Sequence, residues 1–186
     1  MNKKNLPIIR QQFAQCVFNH KIHEKACDRI ENVILNIKKI NIAILVFVII
    51  FLVLQLKYPD DFLFGGISMS ITVFEILFLF VQKEFSFEEK AKEHKKIALK
   101  FLELRDKYKN FIIDVMNNLK SSETMSKRDL LQEQYQIISD LSPQTKYVDY
   151  VKTQLSLLGK TNTDEEFTWS DREINRFLPK ELRIKN

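Results

Sequence analysis

Two long apolar segments constrain this chain more than any other feature of its sequence. Residues 40–56 contain no charged side chain and fourteen Ile, Leu, Val or Phe residues, and residues 62–81 contain thirteen. As helices, the two segments would extend about 25 and 30 Å at ~1.5 Å per residue, close to the thickness of the hydrocarbon core of a bilayer. A soluble domain would have to bury both segments as core helices. Their length and composition instead predict two membrane spans.

A single carboxylate, Glu75, interrupts the second segment. Each strongly apolar residue favours insertion by roughly 0.3 to 0.6 kcal/mol, whereas one charge inside the membrane opposes it by about 3 kcal/mol. The apolar residues together outweigh the carboxylate. Insertion of the second segment is therefore still expected.

Basic residues are concentrated before the first apolar segment and after the second one. Lysine and arginine recur before residue 40 and again from Lys83 to Lys100, whereas the loop between the segments offers Lys57 alone. The positive-inside rule then predicts a multi-pass protein with both termini in the cytosol, where structural disulfides are rare. We expect an N-terminal amphipathic cytosolic helix at 1–39, a two-span transmembrane hairpin at 40–82 and a C-terminal cytosolic helical region at 83–186.

The segments before and after the spans carry apolar residues at spacings of three and four, which is typical of amphipathic helices. With no proline or glycine between residues 8 and 56, the first helix is expected to run directly into the first span. No alternating strand pattern occurs, so the fold class is predicted to be all-α. The two seams are Ile9, Phe13, Cys16, His20, His23, Cys27, Ile30, Ile34 and Ile37 in the first helix, and His94, Ile97, Phe101, Leu104, Tyr108, Phe111 and Val115 in the second.

Capping patterns predict shorter helices in the last third of the chain. A Ser-x-x-Asp pattern at 126–129 resembles a capping box, a Ser-x-x-Glu pattern at 170–173 predicts another, and Gly159 is expected to end the helix between them. Residues 161–166 are expected to form a polar linker. An apolar cluster near the end either docks a partner or folds back onto the helices, and it consists of Trp169, Phe177 and Leu178.

Cys16, His20, His23 and Cys27 combine residue types that bind zinc. On a helix the outer two lie about 16 Å apart along the axis, whereas a tetrahedral site holds its ligands within about 2.3 Å of the metal. An adjacent pair such as His23 with Cys27 could bind a metal only if another helix, for example through His94, completed the ligand set. Packing in the helix seam is the alternative, because free cysteine is often buried. We therefore assign no metal site.

Enzymatic chemistry finds no support in the sequence. It contains no P-loop, nucleophile elbow or paired-acid motif, and its acidic residues alternate with lysines as they do on solvated helix faces. The net charge of +5 is explained in part by the flanks of the spans. No catalytic residue, cofactor or direct nucleic-acid binding is expected.

Small and polar residues follow one face of the second segment, and phenylalanines occupy the other faces. Two polar residues of the first segment, two heptads apart, also share a face. Such faces turn toward protein or water rather than lipid. This polar stripe is either the packing seam between the spans or the lining of an aqueous path formed by several copies. It consists of Gly65, Ser68, Thr72, Glu75 and Gln82 on the second segment and Asn41 and Gln55 on the first.

A conduit would require a homo-oligomer. One hairpin encloses nothing, and the centre of two hairpins would fill with side chains, so about three copies or more are needed. The cytosolic seams are suited to assembling such copies. The residues alone leave open a pore and a passive membrane-anchored scaffold that oligomerises or docks a cytosolic partner.

The layout resembles the SLATT family of two-transmembrane effectors. The resemblance covers nearly the whole chain and rests on a cytosolic helix, two spans with a very short turn, a Lys/Glu-rich helix at 85–111, and the segments at 130–152 and 167–183. It implies a bacterial anti-phage effector that permeabilises the inner membrane in abortive infection. The partners it implies are nucleotide-signal or reverse-transcriptase systems. It assigns no binding role to individual residues.

Overall fold

The computed structural model describes residues 5–117, 120–159 and 168–184, and the predicted linker at 161–166 lies outside them. The described residues form helices and no β-strand, so the all-α class is confirmed. The α-helices are α1 (Leu6–Lys57), α2 (Leu63–Phe85), α3 (Phe87–Met116), α4 (Ser121–Asp140), α5 (Tyr147–Leu158) and α6 (Asp171–Asn175), and a 3₁₀ turn follows at Lys180–Leu182.

Helix α1 runs without a break for 52 residues. Pro7 lies in its first turn, where the missing N–H group is no loss, and no proline or glycine follows until the helix has ended. The predicted continuity between the first seam and the first apolar segment is therefore confirmed. Helix α1 ends at Lys57, just before Tyr58 and Pro59, because a proline disfavours helical conformation in the residue that precedes it.

The chain folds into two compact units. The first, which we call the helical unit, comprises Met1–Cys27 and Lys92–Asn186; the second, the apolar unit, comprises Asp28–Ala91. Helices α1 and α3 contribute residues to both. The division at residues 39 and 82 that the sequence suggests stays a prediction.

The core of the helical unit is built from the two seams. All seven residues of the second seam are buried, and in the first seam Ile9, Phe13, Cys16, His23 and Cys27 are buried as well. Helix α4 adds Leu131 to this core. Full burial of one large apolar side chain contributes roughly 1.5 to 3 kcal/mol, so the seams account for the packing of α1 against α3 in this unit.

Residues 168–184 fold back onto the rest of the helical unit. Ile174 and Leu178 are buried in its core, and Trp169 and Phe177 pack against the same cluster. Of the two alternatives for the apolar cluster at the end, the structure thus favours folding back. The Ser170 capping box of α6 is confirmed, because the Ser170 N–H donates to Glu173 Oε2 at 3.2 Å.

Of two other predicted helix boundaries, the end at Gly159 is confirmed and the start at 126–129 is not. Gly159 follows α5 with φ of 65°, a left-handed conformation that glycine adopts without strain, so this stop is confirmed. The capping box at 126–129 is wrong, because α4 already begins at Ser121. Ser126 lies inside the helix and donates its hydroxyl to the Ser122 carbonyl at 3.2 Å, a bond that mid-helix serines commonly form.

In the apolar unit, apolar side chains are mostly exposed and the buried side chains of α2 are polar, which is the opposite of the core of a soluble protein. In the most apolar 18-residue window of α1 none of the residues is buried, and in the corresponding window within Leu63–Met116 only 11% are. Within α2, which the structure describes completely, the buried residues are polar: Ser68 and Glu75. Two helices are thus long and apolar enough to cross a membrane, and their exposed apolar surface suits lipid rather than water. Their crossing of a membrane as a hairpin stays a prediction.

Candidate functional site

Asn41 and Gln82 join the first apolar segment to the end of α2. Asn41 Nδ2 donates to Gln82 Oε1 at 3.3 Å, and Gln82 Nε2 donates to Asn41 Oδ1 at 3.2 Å. Each amide therefore satisfies a donor and an acceptor of the other. Reciprocal amide pairs of this kind hold helices together where water is scarce.

Gln55 and Gly65 form a second connection. The Gly65 N–H donates to Gln55 Oε1 at 2.6 Å, and Gln55 Nε2 lies 3.4 Å from the carbonyl oxygens of Tyr58 and Pro59. One glutamine side chain thus satisfies an orphan N–H at the start of α2 and carbonyls just after α1. A Cβ atom on residue 65 would lie 2.9 Å from Gln55 Oε1, so glycine permits this close approach.

Glu75 lies between these two connections along α2. Its side chain is 6% exposed, and Ser68, two turns earlier, is 3% exposed. Thr72 donates its hydroxyl to the Ser68 carbonyl at 2.9 Å. No residue in the described part of the chain forms a hydrogen bond or ion pair with the Glu75 carboxylate. Placing a carboxylate in a mostly buried position without such a partner costs free energy.

The structure therefore brings the candidate residues into the space between α1 and α2. It pairs Asn41 with Gln82 and Gln55 with Gly65, and Glu75 lies between them with no partner in the part of the chain that the structure describes. All seven members of the polar stripe are buried or half-buried, while most large apolar side chains around them are exposed. A packing seam and a closed conduit would both require this arrangement.

A pair of buried histidines occupies the middle of the helical unit. His23 Nδ1 and His94 Nδ1 are 2.9 Å apart, so one of the two nitrogens must carry the shared proton. Burial and, to a lesser extent, the neighbouring His94 together lower the pKa of His23 to about 4, against the opposing effect of Asp149. His23 is therefore neutral at physiological pH. Phe101 stacks on its ring at a centroid distance of 5.9 Å.

These histidines and the nearby cysteines do not converge on one point. Among the described residues, no group of three or more His, Cys, Asp or Glu side chains is placed to hold a metal ion. His20 Nδ1 instead contacts the Ala98 carbonyl at 2.9 Å, and burial raises the pKa of the Cys16 thiol. The structure brings His94 to His23, as the helix-seam spacing allowed, but in a hydrogen-bonded core pair.

A cavity of about 440 Å³ opens beside His23. None of the described residues that line it is Asp, Glu, Lys or Arg, so the cavity offers hydrogen-bonding groups and an aromatic face without charge. This volume is in the range of small-molecule sites. The lining includes Asn19, His23, Phe101, Ser142 and Gln144.

Arg10 is a buried cation that the sequence patterns did not single out. Its side chain is fully buried, and it donates to the Leu182 carbonyl at 2.9 Å, to Asn175 Oδ1 at 2.8 Å and to Asp171 Oδ1 at 3.2 Å. Burial lowers its pKa, and Asp171 acts against that shift. The only hint in the sequence was the place of Arg10 beside Ile9 at the start of the first seam.

Comparison with known proteins gives one family. Residues 6–173 match SMODS and SLOG-associating 2TM effector domain family 4. The chain matches no curated protein and no solved structure. The matched region begins at the start of α1 and ends inside α6, so it includes both apolar helices and most of the helical unit.

Proposed function

The chain belongs to the SMODS and SLOG-associating two-transmembrane effector (SLATT) family, and on that premise we propose that it forms oligomeric pores in the bacterial inner membrane. The family implies a membrane effector of defence systems and is not a known enzymatic fold. Its name implies association with SMODS and SLOG partners of such systems. Pores opened by a cytosolic signal or partner would depolarise an infected cell, which is abortive infection against phage.

The proposed topology follows from charge and exposure. Residues 40–56 of α1 and most of α2 span the membrane as a hairpin, with both termini in the cytosol. The basic flanks support this orientation, and the exposed apolar surface of both helices supports contact with lipid. Because only residues 58–62 separate α1 from α2, recognition of the signal falls to the helical unit.

The observation that carries the pore proposal is the state of Glu75. Glu75 is 6% exposed within the apolar unit, and its carboxylate has no hydrogen-bond or ion-pair partner in the described chain. An intramembrane carboxylate costs about 3 kcal/mol or more, and such residues usually face a bundle interior or a water-filled cavity. Assembly of several copies would supply that environment.

We take the described arrangement of the apolar unit as the closed one. The Asn41–Gln82 and Gln55–Gly65 contacts hold α1 against α2 on both sides of Glu75. Separation or rotation of the helices within an oligomer would turn Glu75 toward a shared axis. A ring of carboxylates there would hydrate and attract cations.

Membrane leakage tests the proposal directly. Expression of the chain together with its activated partner system should depolarise cells and admit a membrane-impermeant dye. Glu75→Leu should reduce cation leakage at least several-fold without preventing membrane insertion, because it removes the charge that attracts cations. Glu84→Leu is the matched control, since Glu84 lies exposed in the last turn of the same helix. Equal leakage from Glu75→Leu and the unsubstituted chain would show that Glu75 does not line the ion path.

A passive membrane-anchored scaffold is the alternative function. Full or partial burial of every stripe residue inside a single chain is also what a permanent packing seam requires. In that case the hairpin only tethers the helical unit, which oligomerises or docks a cytosolic partner. Absence of leakage with the activated system present, together with stable membrane insertion, would establish the scaffold.

A further inference from the structure

A second cavity, of about 380 Å³, lies within the apolar unit beside the junction of α2 and α3. One part of its lining is apolar and the other part is charged. The apolar part comprises Ile34, Ile37, Leu79 and Phe87, and the charged part comprises Lys38, Lys83, Glu88 and Glu89.

The break between α2 and α3 shapes this cavity. Ser86 ends α2 in a left-handed conformation with φ of 48°, and its N–H donates to the Lys83 carbonyl at 3.3 Å. Helix α3 then begins at Phe87, with Glu88 and Glu89 in its first turn, where the helix dipole favours negative charge. The break thus places two acidic side chains beside the basic residues at the ends of the apolar segments.

The charges around the cavity are balanced but weakly engaged. Lys38 Nζ lies 3.5 Å from Glu88 Oε1, and both side chains are more than half exposed, at 62% and 65%. Exposed pairs of this kind contribute little and exchange readily for other partners. The Lys83 ammonium has no ion-pair partner among the described residues. Two cations and two anions are therefore available to a ligand that carries both signs of charge.

We propose that this cavity binds the head group of a phospholipid that carries a phosphate and a primary ammonium, as in phosphatidylethanolamine. Lys38 and Lys83 would contact the phosphate, and Glu88 and Glu89 would contact the ammonium. The apolar part of the lining would receive the first carbons of the acyl chains. An anionic lipid would leave the two glutamates facing negative charge, and a quaternary ammonium has no N–H group to donate to them.

The inference rests on the proposed membrane insertion, which places the cavity at head-group depth. Lys38 precedes the first predicted span by two residues, and Lys83 follows the predicted hairpin directly. Lysines at such positions reach phosphate groups with their apolar stems along the helix. The lipid would then contact both sides of the hairpin at its cytosolic end.

Native mass spectrometry of the full chain, released from mixed micelles, tests the site. The micelles contain phosphatidylethanolamine, phosphatidylcholine or phosphatidylglycerol with identical acyl chains. We expect retained phosphatidylethanolamine to exceed either of the others about tenfold, which corresponds to about one charge-assisted hydrogen bond. Water-soluble glycerophosphoethanolamine should not compete at equal concentration, because it lacks the chains that the apolar lining receives.

Single substitutions connect the preference to the cavity. Lys83→Gln should reduce retention of phosphatidylethanolamine several-fold, and Glu89→Gln should reduce its advantage over phosphatidylcholine. Lys39→Gln is the matched control, since Lys39 is an exposed lysine next to Lys38 that does not line the cavity. These residues are exposed on the surface, so the variants are expected to fold.

The outcomes separate this inference from the proposed function. Stronger retention of phosphatidylglycerol, or an equal loss in Lys39→Gln and Lys83→Gln, would overturn the ethanolamine site even if the protein forms pores. Selective retention without dye leakage would support the site and count against the pore. Failure of the chain to float with liposomes would overturn both.

Discussion

The guanidinium of Arg10 donates a 2.8 Å hydrogen bond to Asn175 Oδ1, connecting residues that are 165 positions apart. Arg10 is fully buried, and its other contacts are to Leu182 and Asp171, so a single cation holds the end of the chain against the start of α1. Replacement of this cation should therefore affect the last segment of the chain most.

Arg10→Leu is expected to lower the free energy of unfolding by about 2 to 3 kcal/mol, because it removes the three hydrogen bonds that the buried cation donates to Leu182, Asn175 and Asp171. Amide hydrogen exchange should rise in residues 168–184 before the rest of the helical unit opens. Arg128→Leu is the control: Arg128 pairs with Asp129, which is 64% exposed, and its loss should change stability by less than about 0.5 kcal/mol. Equal effects of the two substitutions would contradict the role of Arg10.

The Asn41–Gln82 pair can be measured by a double-mutant cycle. Asn41→Ala and Gln82→Ala should each destabilise the detergent-solubilised protein, and the double variant should lose less than the sum. The expected coupling is about 0.6 to 1.7 kcal/mol, the range found for polar pairs between membrane helices. Additive effects would show that the two amides act independently. Thermal unfolding followed by circular dichroism provides the measurement.

Gly65 and Gly66 make a matched pair of sites for alanine. Nothing lies within 4 Å of a Cβ atom at residue 66, so Gly66→Ala should stabilise α2 by up to about 1 kcal/mol through helix propensity. At residue 65 the added methyl group would meet Gln55 Oε1 at 2.9 Å and displace the amide that accepts the Gly65 N–H. Gly65→Ala should gain less than Gly66→Ala or be destabilising. A melting temperature for Gly65→Ala that equals or exceeds that of Gly66→Ala would contradict the close approach of Gln55 to Gly65.

The His23–His94 pair predicts an acid-sensitive helical unit. The folded pKa of His23, about 4, lies below its ordinary value of 6.5. Below pH 6.5 His23 is protonated in the unfolded chain but stays neutral in the folded chain. The free energy of unfolding therefore has its full value above pH 6.5 and declines as the pH falls toward 4. The decline has an upper limit of about 1.4 kcal/mol per pH unit.

Melting temperatures at pH 7.5 and 5.5 check this decline. We expect a loss of about 1 kcal/mol between them, and a smaller loss in His23→Gln. His20→Gln is the matched control, since His20 lies at the edge of the seam and contacts Ala98 instead of His94. An unchanged slope in His23→Gln would contradict a neutral buried His23.

Helix periodicity predicted most of the core. The second seam is buried from His94 to Val115, because apolar spacing of three and four identifies the face of an amphipathic helix that must leave water. Helix ends were less predictable. The 126–129 pattern carries the right residues for a cap, yet α4 begins five residues earlier, because a capping sequence does not require the chain to start a helix there.

Polar partners across the chain could not be read from local patterns. Asn41 with Gln82, Gln55 with Gly65 and His23 with His94 were each recognised as polar or unusual positions, but the sequence did not say which residue each would contact. In the sequence, Arg10 is only one of the basic residues that precede the first predicted span. Its burial depends on acceptors contributed by the last helix of the chain.

The amino-acid sequence by itself determined that this chain is helical, that it carries two segments suited to a bilayer, and that polar residues share one face of each segment. These properties depend on periodicity and composition, which are local. The tertiary structure alone decided that Glu75 lies between two amide contacts without a partner among the described residues, and that Arg10 holds residues 171–182. Both depend on which distant groups meet, and hydrogen bonds and ion pairs require partners at defined distances that no single segment contains.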